Sequence, residues 1–238
     1  MIQIVSNHQL HERRHLYTAL FISLLFTISM VVLRVFQTNS PVFVFLIWNL
    51  ILAAIPFLIS NSLKFSINNT FTKWMLIPLL TLWLLFFPNA PYIITDLFHL
   101  KSRAPIPMWY DTILLFSAAW NGMLLAFISL YDIENIVKQL FKATVSRLFV
   151  VAALVLSSLG IYIGRYLRWN SWDIIMQPQA LIIDVMELLI NPAINFGVLK
   201  MILLFTAFLL TGYLIFRSLL IYSPTNVNVN EVNQKSLT

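Results

Sequence analysis

The stretch FFPNAPYIITDLFHLK, residues 86–101, ends a long apolar run with Pro88 and Pro91 and sets Asn89, Tyr92, Asp96 and His99 beside them. Their spacing of three, four and three places the four side chains along one stripe if helix resumes beyond the prolines. A carboxylate and an imidazole one turn apart can share a proton or hold a cation. Asp96 and His99 are therefore the candidate catalytic acid–base pair, with Asn89 and Tyr92 as ligand-binding neighbours and Asn89 placed to orient one of the pair. The plain alternative is that the prolines end a membrane helix and that Asp96 and His99 stand in interfacial water.

A second polar stretch, GIYIGRYLRWNSWD, covers residues 160–173. Gly160 and Gly164 have the GxxxG spacing that lets another helix approach closely. Arg165 and Arg168 follow three apart, with Asn170 and Asp173 just beyond. Paired arginines suit a phosphate or carboxylate, which their forked donors match. Trp169 and Trp172 fit an interfacial aromatic belt. The alternative here is that both arginines snorkel to headgroups as anchors. Arg165, Arg168 and Asp173 on the same side as Asp96 and His99 would favour an ion-pair network or a binding site.

Asp111 opens a later apolar block, where a carboxylate suits the positive end of a helix dipole, and it joins the candidate binding residues. Ser117 and Asn121 lie one turn apart deep in that block. An amide at such depth must be bonded, so these two are expected to face another helix as interhelical glue. His8, His11 and His15 form a solvated leader. Asp96, His99 and Asp111 would suit zinc, manganese or iron, but their spacing has no metal-site specificity, so neither a metal nor another cofactor is assigned. Metalloprotease, hydrolase, phosphate-loop and dinucleotide motifs are missing, and the chain has five glycines with which to build such loops.

The elements that must position these residues are membrane helices. Sixty per cent of the 238 residues are hydrophobic and ten per cent charged, against about 25% charged in a soluble chain. The apolar residues come in continuous blocks at 16–33, 42–59, 74–87 (extending to 94 if helix continues through the prolines), 110–131, 148–163 and 196–222. About 20 apolar residues cross a bilayer, so the third and fifth blocks are short unless their polar ends also lie within the membrane. Continuous blocks disfavour a β-barrel. The absence of cysteine excludes disulfides, thiolate catalysis and cysteine-ligated metals. The net charge of +6 is scattered between blocks and fits membrane topology rather than nucleic-acid binding.

The expected fold is an all-α integral membrane bundle of about six transmembrane helices. Residues 1–15 form a cytoplasmic leader, 16–222 the membrane domain and 223–238 a disordered polar tail. Within PQALIIDVMELLINP, residues 178–192, the apolar residues recur at helical spacing with Asp184, Glu187 and Asn191 on the other side. That pattern predicts an interfacial amphipathic helix before the last span. With both termini inside, Arg13, Arg14, Lys64, Lys73, Lys138, Lys142, Arg147, Arg217 and Lys235 are cytoplasmic. Arg34, Lys101, Arg103, Arg165, Arg168 and Lys200 are then outside. The excess of basic residues favours this orientation in the cell membrane.

The pairing of FPNAPYIITDLFHL with GRYLRWNSWD resembles the bacterial multi-pass membrane proteins of domain of unknown function 1361. The resemblance runs from the second span to the sixth and implies a multi-pass membrane protein, with no activity to carry over. Pro88, Asn89, Pro91, Tyr92, Thr95, Asp96, Leu97, His99, Gly164, Arg165, Arg168, Trp169, Asn170, Ser171, Trp172 and Asp173 carry it. The functional expectation from the residues is a polar site on the outer face. The bilayer is the partner, and an anionic lipid or lipid-linked envelope precursor is the ligand. A structural or partner-binding role is the alternative from another class. Transport is a third, disfavoured because no repeated halves are visible and the polar residues lie near one face.

Overall fold

The computed structural model describes residues 2–67, 73–169, 173–190 and 196–221. Among the described residues, nine helices run in order: α1 (Ile2–Thr38), α2 (Phe45–Ile67), α3 (Lys73–Phe86), α4 (Asn89–Tyr92), α5 (Met108–Leu140), α6 (Ala143–Tyr162), α7 (Asp173–Met176), α8 (Pro178–Ile190) and α9 (Phe196–Ile221). A 3₁₀ segment, Ile93–His99, continues α4, and a π turn, Ile163–Leu167, continues α6. No β-strand occurs among the described residues, so the fold is all-α.

Among the described residues, six stretches are long and apolar enough to cross a membrane: Arg14–Thr38, Phe45–Lys64, Leu76–His99, Met108–Leu140, Ala143–Leu167 and Phe196–Leu220. The two blocks that look short in sequence gain their length from their polar ends. The third crosses the proline break to His99 and spans 24 residues, and the fifth runs through the π turn to Leu167 and spans 25. Helix α8 has the bounds expected of the amphipathic segment. Its exposed Ile182, Ile183, Met186 and Ile190 are apolar, whereas Asp184 is half-buried. The expected tail, 223–238, lies outside the described residues.

Two compact units divide the chain, Met1–Ile128 and Ser129–Thr238. In the first unit α2 packs against α1, α3, α4 and the 3₁₀ segment. Trp83, Phe87, Ala90, Ile93 and Leu114 are fully buried there, and Trp83 stacks on Phe87 with centroids 4.5 Å apart. Gly122 of α5 lies against the proline break so closely that a Cβ there would come within 2.5 Å of the Ala90 carbonyl oxygen. In the second unit α6 packs along α9 and α7 against α8, around Leu154, Ile161, Leu209 and Tyr213. Many large apolar side chains in both units stay exposed, among them Phe21, Phe116, Leu148 and Leu203. A bilayer covers such a surface, which in water would be a large apolar patch.

The proline break has a specific chemistry. In an unbroken helix the Phe86 carbonyl would accept from the amide of Ala90, and the Phe87 carbonyl from residue 91. Pro91 has no amide to give. The Ala90 amide instead donates to the Phe87 carbonyl at 3.2 Å, a tighter turn. The carbonyl of Phe86 then accepts from Asn89 Nδ2 at 2.9 Å. A freed carbonyl in the membrane must find a donor, and Asn89 supplies it from within the break.

Candidate functional site

Beyond the break, the chain tightens to a 3₁₀ helix with about 2.0 Å rise and three residues per turn, so residues three apart eclipse. Asp96 and His99 therefore share a stripe about 6 Å apart along the axis. On α2, Phe45 and Asn49 are one α-turn apart, also about 6 Å. The two stripes meet in antiparallel register. Asn49 Nδ2 donates to Asp96 Oδ2 at 2.8 Å, and the Phe45 ring meets the His99 ring edge-on with centroids 5.3 Å apart. Asp96 and His99 of the expected stripe thus lie on a 3₁₀ turn rather than an α-helix, whereas Asn89 and Tyr92 lie on α4 before it. Its two titratable members stand in different surroundings: Asp96 is 1% exposed, whereas His99 is exposed. Tyr92 is half-buried, and its carbonyl accepts from Thr95 Oγ1 at 2.7 Å.

Asp111 is fully buried at the start of α5. Both its oxygens are taken by Arg34 of α1, Nε to Oδ1 at 2.7 Å and Nη2 to Oδ2 at 3.2 Å. This forked pair occupies the carboxylate that the sequence offered as a ligand-binding group. It also corrects the charge count. Arg34 is only 4% exposed, so it is an interior ion pair and not a loop charge. Deeper in the unit, Asn121 Nδ2 donates to Thr27 Oγ1 at 2.9 Å, and Thr27 Oγ1 lies 3.1 Å from Ser117 Oγ. That is the interhelical glue expected of Ser117 and Asn121, joining α5 to α1.

Two arginines gather around one ring near the Arg34–Asp111 pair. The guanidinium carbon of Arg34 lies 5.8 Å from the centroid of buried Phe43, and that of Arg103 lies 5.2 Å from it. Arg103 Nη1 also donates to the His99 carbonyl at 3.0 Å. Asp96, Asn49, His99, Phe45, Arg103, Phe43, Arg34 and Asp111 are thus linked through successive contacts. Asn49, Phe43, Arg34 and Arg103 were not chosen from the sequence. Arg34 and Arg103 carry only the signal of a basic residue outside an apolar block, Asn49 that of an amide inside one, and Phe43 none.

In the second unit, α6 unwinds into the π turn that contains Gly164 and Arg165. Arg168 follows with φ 62° and ψ 29°, the left-handed region. The amides of Arg168 and Trp169 both donate to the Ile163 carbonyl, the latter at 3.3 Å. The indole Nε1 of Trp169 donates to Asp184 Oδ2 of α8 at 2.8 Å, which ties the turn to the amphipathic helix. Arg168 is exposed, and Arg165 is half-buried. Asp173, at the first position of α7, is half-buried. Asn170 lies outside the described residues.

A second polar cluster in this unit was not anticipated. Glu134, in the last turns of α5, is buried, accepts from the Tyr213 hydroxyl through Oε2 and pairs with Arg217 Nη2 through Oε1 at 3.3 Å. Its backbone carbonyl accepts from Ser146 Oγ at 2.8 Å. Both carboxylate oxygens are engaged, so the cluster is a helix tie rather than an open site. Among the described residues, no three His, Asp or Glu side chains come together as metal ligands would.

Among the described residues, six apolar spans and the absence of strands define an all-α, multi-pass integral membrane protein. Residues 48–212 match the profile of the family described as Protein of unknown function (DUF1361), and the chain belongs to that family. No curated protein and no solved structure matches it. The matched region contains both polar motifs.

Proposed function

We propose that this protein binds an anionic group, a lipid headgroup or a lipid-linked envelope precursor, at the outer face of a bacterial cell membrane, with both termini cytoplasmic. In this reading Arg165 and Arg168 hold the anion, with Asn170 and Asp173 as further binding residues of the second unit, and Tyr92 is a binding residue of the first. His99 is the exposed acid–base group, with Asp96 as the buried carboxylate of its pair. Asn89 and Asp111 serve the scaffold, because each is engaged by a partner within its own unit.

The observation that carries the reading is the conformation at Arg168. A non-glycine residue in the left-handed region costs about 1 to 2 kcal/mol, and π turns concentrate at functional positions. Here an exposed left-handed arginine directly follows a π turn. Turn-making alone would be served better by glycine, so the side chain is the reason to keep arginine there.

Arg168→Lys tests this, because lysine keeps the charge and the backbone preference but loses the fork. In purified, reconstituted protein the variant is expected to bind phosphatidylglycerol about tenfold more weakly, with its thermal unfolding unchanged. Equal binding by the variant overturns the assignment. Because the chain has no cysteine, His99→Cys and Arg168→Cys can each be probed on intact cells with an impermeant maleimide. Labelling of both is expected, and labelling only after lysis overturns the outer-face orientation.

A further inference from the structure

Arg103 differs from its neighbour Arg34 in one respect that matters for ligands. Both guanidinium groups lie against Phe43. Arg34 is buried, with its fork closed on Asp111. Arg103 is half-exposed and spends an N–H on the His99 carbonyl. Among the described residues, no carboxylate pairs with it. An arginine fixed by a ring and a carbonyl has already lost much of its rotamer freedom, so less entropy is lost when it binds.

The loop around it is built to hold that position. Arg103 and Ile106 form an antiparallel bridge, with the Ile106 amide donating to the Arg103 carbonyl at 3.2 Å. The amide of Leu100 donates to the Leu97 carbonyl at 3.0 Å, closing the 3₁₀ segment. The Tyr110 hydroxyl donates to the Met30 carbonyl of α1 at 2.8 Å and pins the start of α5. Phe98 and Trp109, on either side of the loop in sequence, are strongly exposed. Exposed aromatics next to the end of a span lie at headgroup depth. Exposed Lys101 adds a second positive charge to the loop.

We propose that Arg103 is a phosphate-binding residue, presenting its remaining N–H donors from the 100–107 loop to a phosphate at headgroup depth. Phosphate is the anion that a bilayer offers at that depth, and the forked donor set matches it. The proposal rests on the reading above only in taking a phosphate-bearing ligand at this end of the first unit. It does not depend on the roles of Arg165 and Arg168.

The test uses the full chain in phosphatidylcholine vesicles containing a trace of spin-labelled phosphatidylglycerol, and it measures the relative association of the labelled lipid. Arg103→Gln is expected to weaken association about tenfold, and Arg103→Lys to recover only part of it. Lys101→Gln, which removes a charge from the same loop without removing a fork, is expected to change it by less than about twofold. Thermal unfolding of each variant shows that the fold is kept. Inorganic phosphate is added separately. If it raises the unfolding temperature of the wild type but not of Arg103→Gln, the ligand is free phosphate. If only labelled phosphatidylglycerol separates the two, the ligand is the lipid. Both results support the proposal. If neither probe separates Arg103→Gln from the wild type, or if Lys101→Gln weakens association as much as Arg103→Gln does, the proposal is overturned. Arg168→Lys measured in parallel keeps the two ideas apart. Loss in Arg168→Lys alone leaves the earlier reading standing and removes this one. Loss in the Arg103 variants alone does the reverse.

Discussion

The two polar motifs differ in what holds them. The 86–101 motif is held by partners far away in sequence. Asp96 depends on Asn49, 47 residues upstream, and Asp111 just beyond depends on Arg34, 77 residues upstream. The 160–173 motif is shaped by its own backbone among the described residues, through a π turn, a left-handed residue and two amides on one carbonyl. A longer tie, Trp169 to Asp184, spans 15 residues. In the first region the charges are buried and paired, and His99 and Arg103 stand more open beside them. In the second an arginine is exposed. A cluster assembled by packing should fail by unfolding, whereas one shaped by local backbone should keep its fold when a side chain is changed.

The largest expected effect tests the packed region. Removing one member of a buried ion pair leaves an uncompensated charge, and Arg34→Ala or Asp111→Ala is expected to cost about 3 to 5 kcal/mol. Thermal unfolding in detergent, followed by tryptophan fluorescence, should show a fall in midpoint or a loss of folded protein. The double replacement Arg34→Met with Asp111→Leu removes both charges and should recover most of that loss. If the single variants unfold like the wild type, the pair is not buried in solution and the contrast between the regions fails at its strongest point.

A smaller effect is expected at Asn49. Asn49→Ala withdraws one donor from the buried Asp96 carboxylate, and a hydrogen bond to a charged group contributes about 1.5 to 3 kcal/mol. The same unfolding measurement should show a loss smaller than that of Arg34→Ala. A loss as large would mean that Asp96, rather than the ion pair, is the main constraint at this end of the first unit.

The difference between the regions also decides what was legible in the sequence. The six spans could be read because each is a continuous apolar block, and α8 because its period is helical. The proline break could be read because its chemistry is local, and the arginine motif from its residue types, though not its π turn or the left-handed Arg168. Partners were not legible. Nothing in a single sequence says that Asn49 faces Asp96 or that Arg34 faces Asp111, since packing brings them together. Arg34 was counted as an external loop charge for that reason. The 3₁₀ form of Ile93–His99 was also missed. An α-helix places Asp96 and His99 on one face just as well, and the choice between the two depends on matching the spacing of Phe45 and Asn49. Glu134, Tyr213 and Arg217 went unnoticed because an acid near the end of an apolar helix looks like an interfacial residue until its partners are known.

The smallest effect tests the comparison most sharply, because its sign differs between the two explanations. Arg168→Gly removes the steric cost of the left-handed backbone, about 1 to 2 kcal/mol per residue. It also raises the entropy of the unfolded chain, which costs about 0.5 to 1 kcal/mol. The balance is a gain in stability of about 0.5 kcal/mol. If the side chain is kept for a ligand, the variant should unfold at a slightly higher temperature and bind anionic lipid less well. Stability traded against function in this way marks a residue selected for its chemistry. If the variant instead unfolds at a lower temperature, the Arg168 side chain is a structural tie. The second motif would then be held as the first is, by its side-chain partners, and the assignment of Arg168 to anion binding would fall with the contrast.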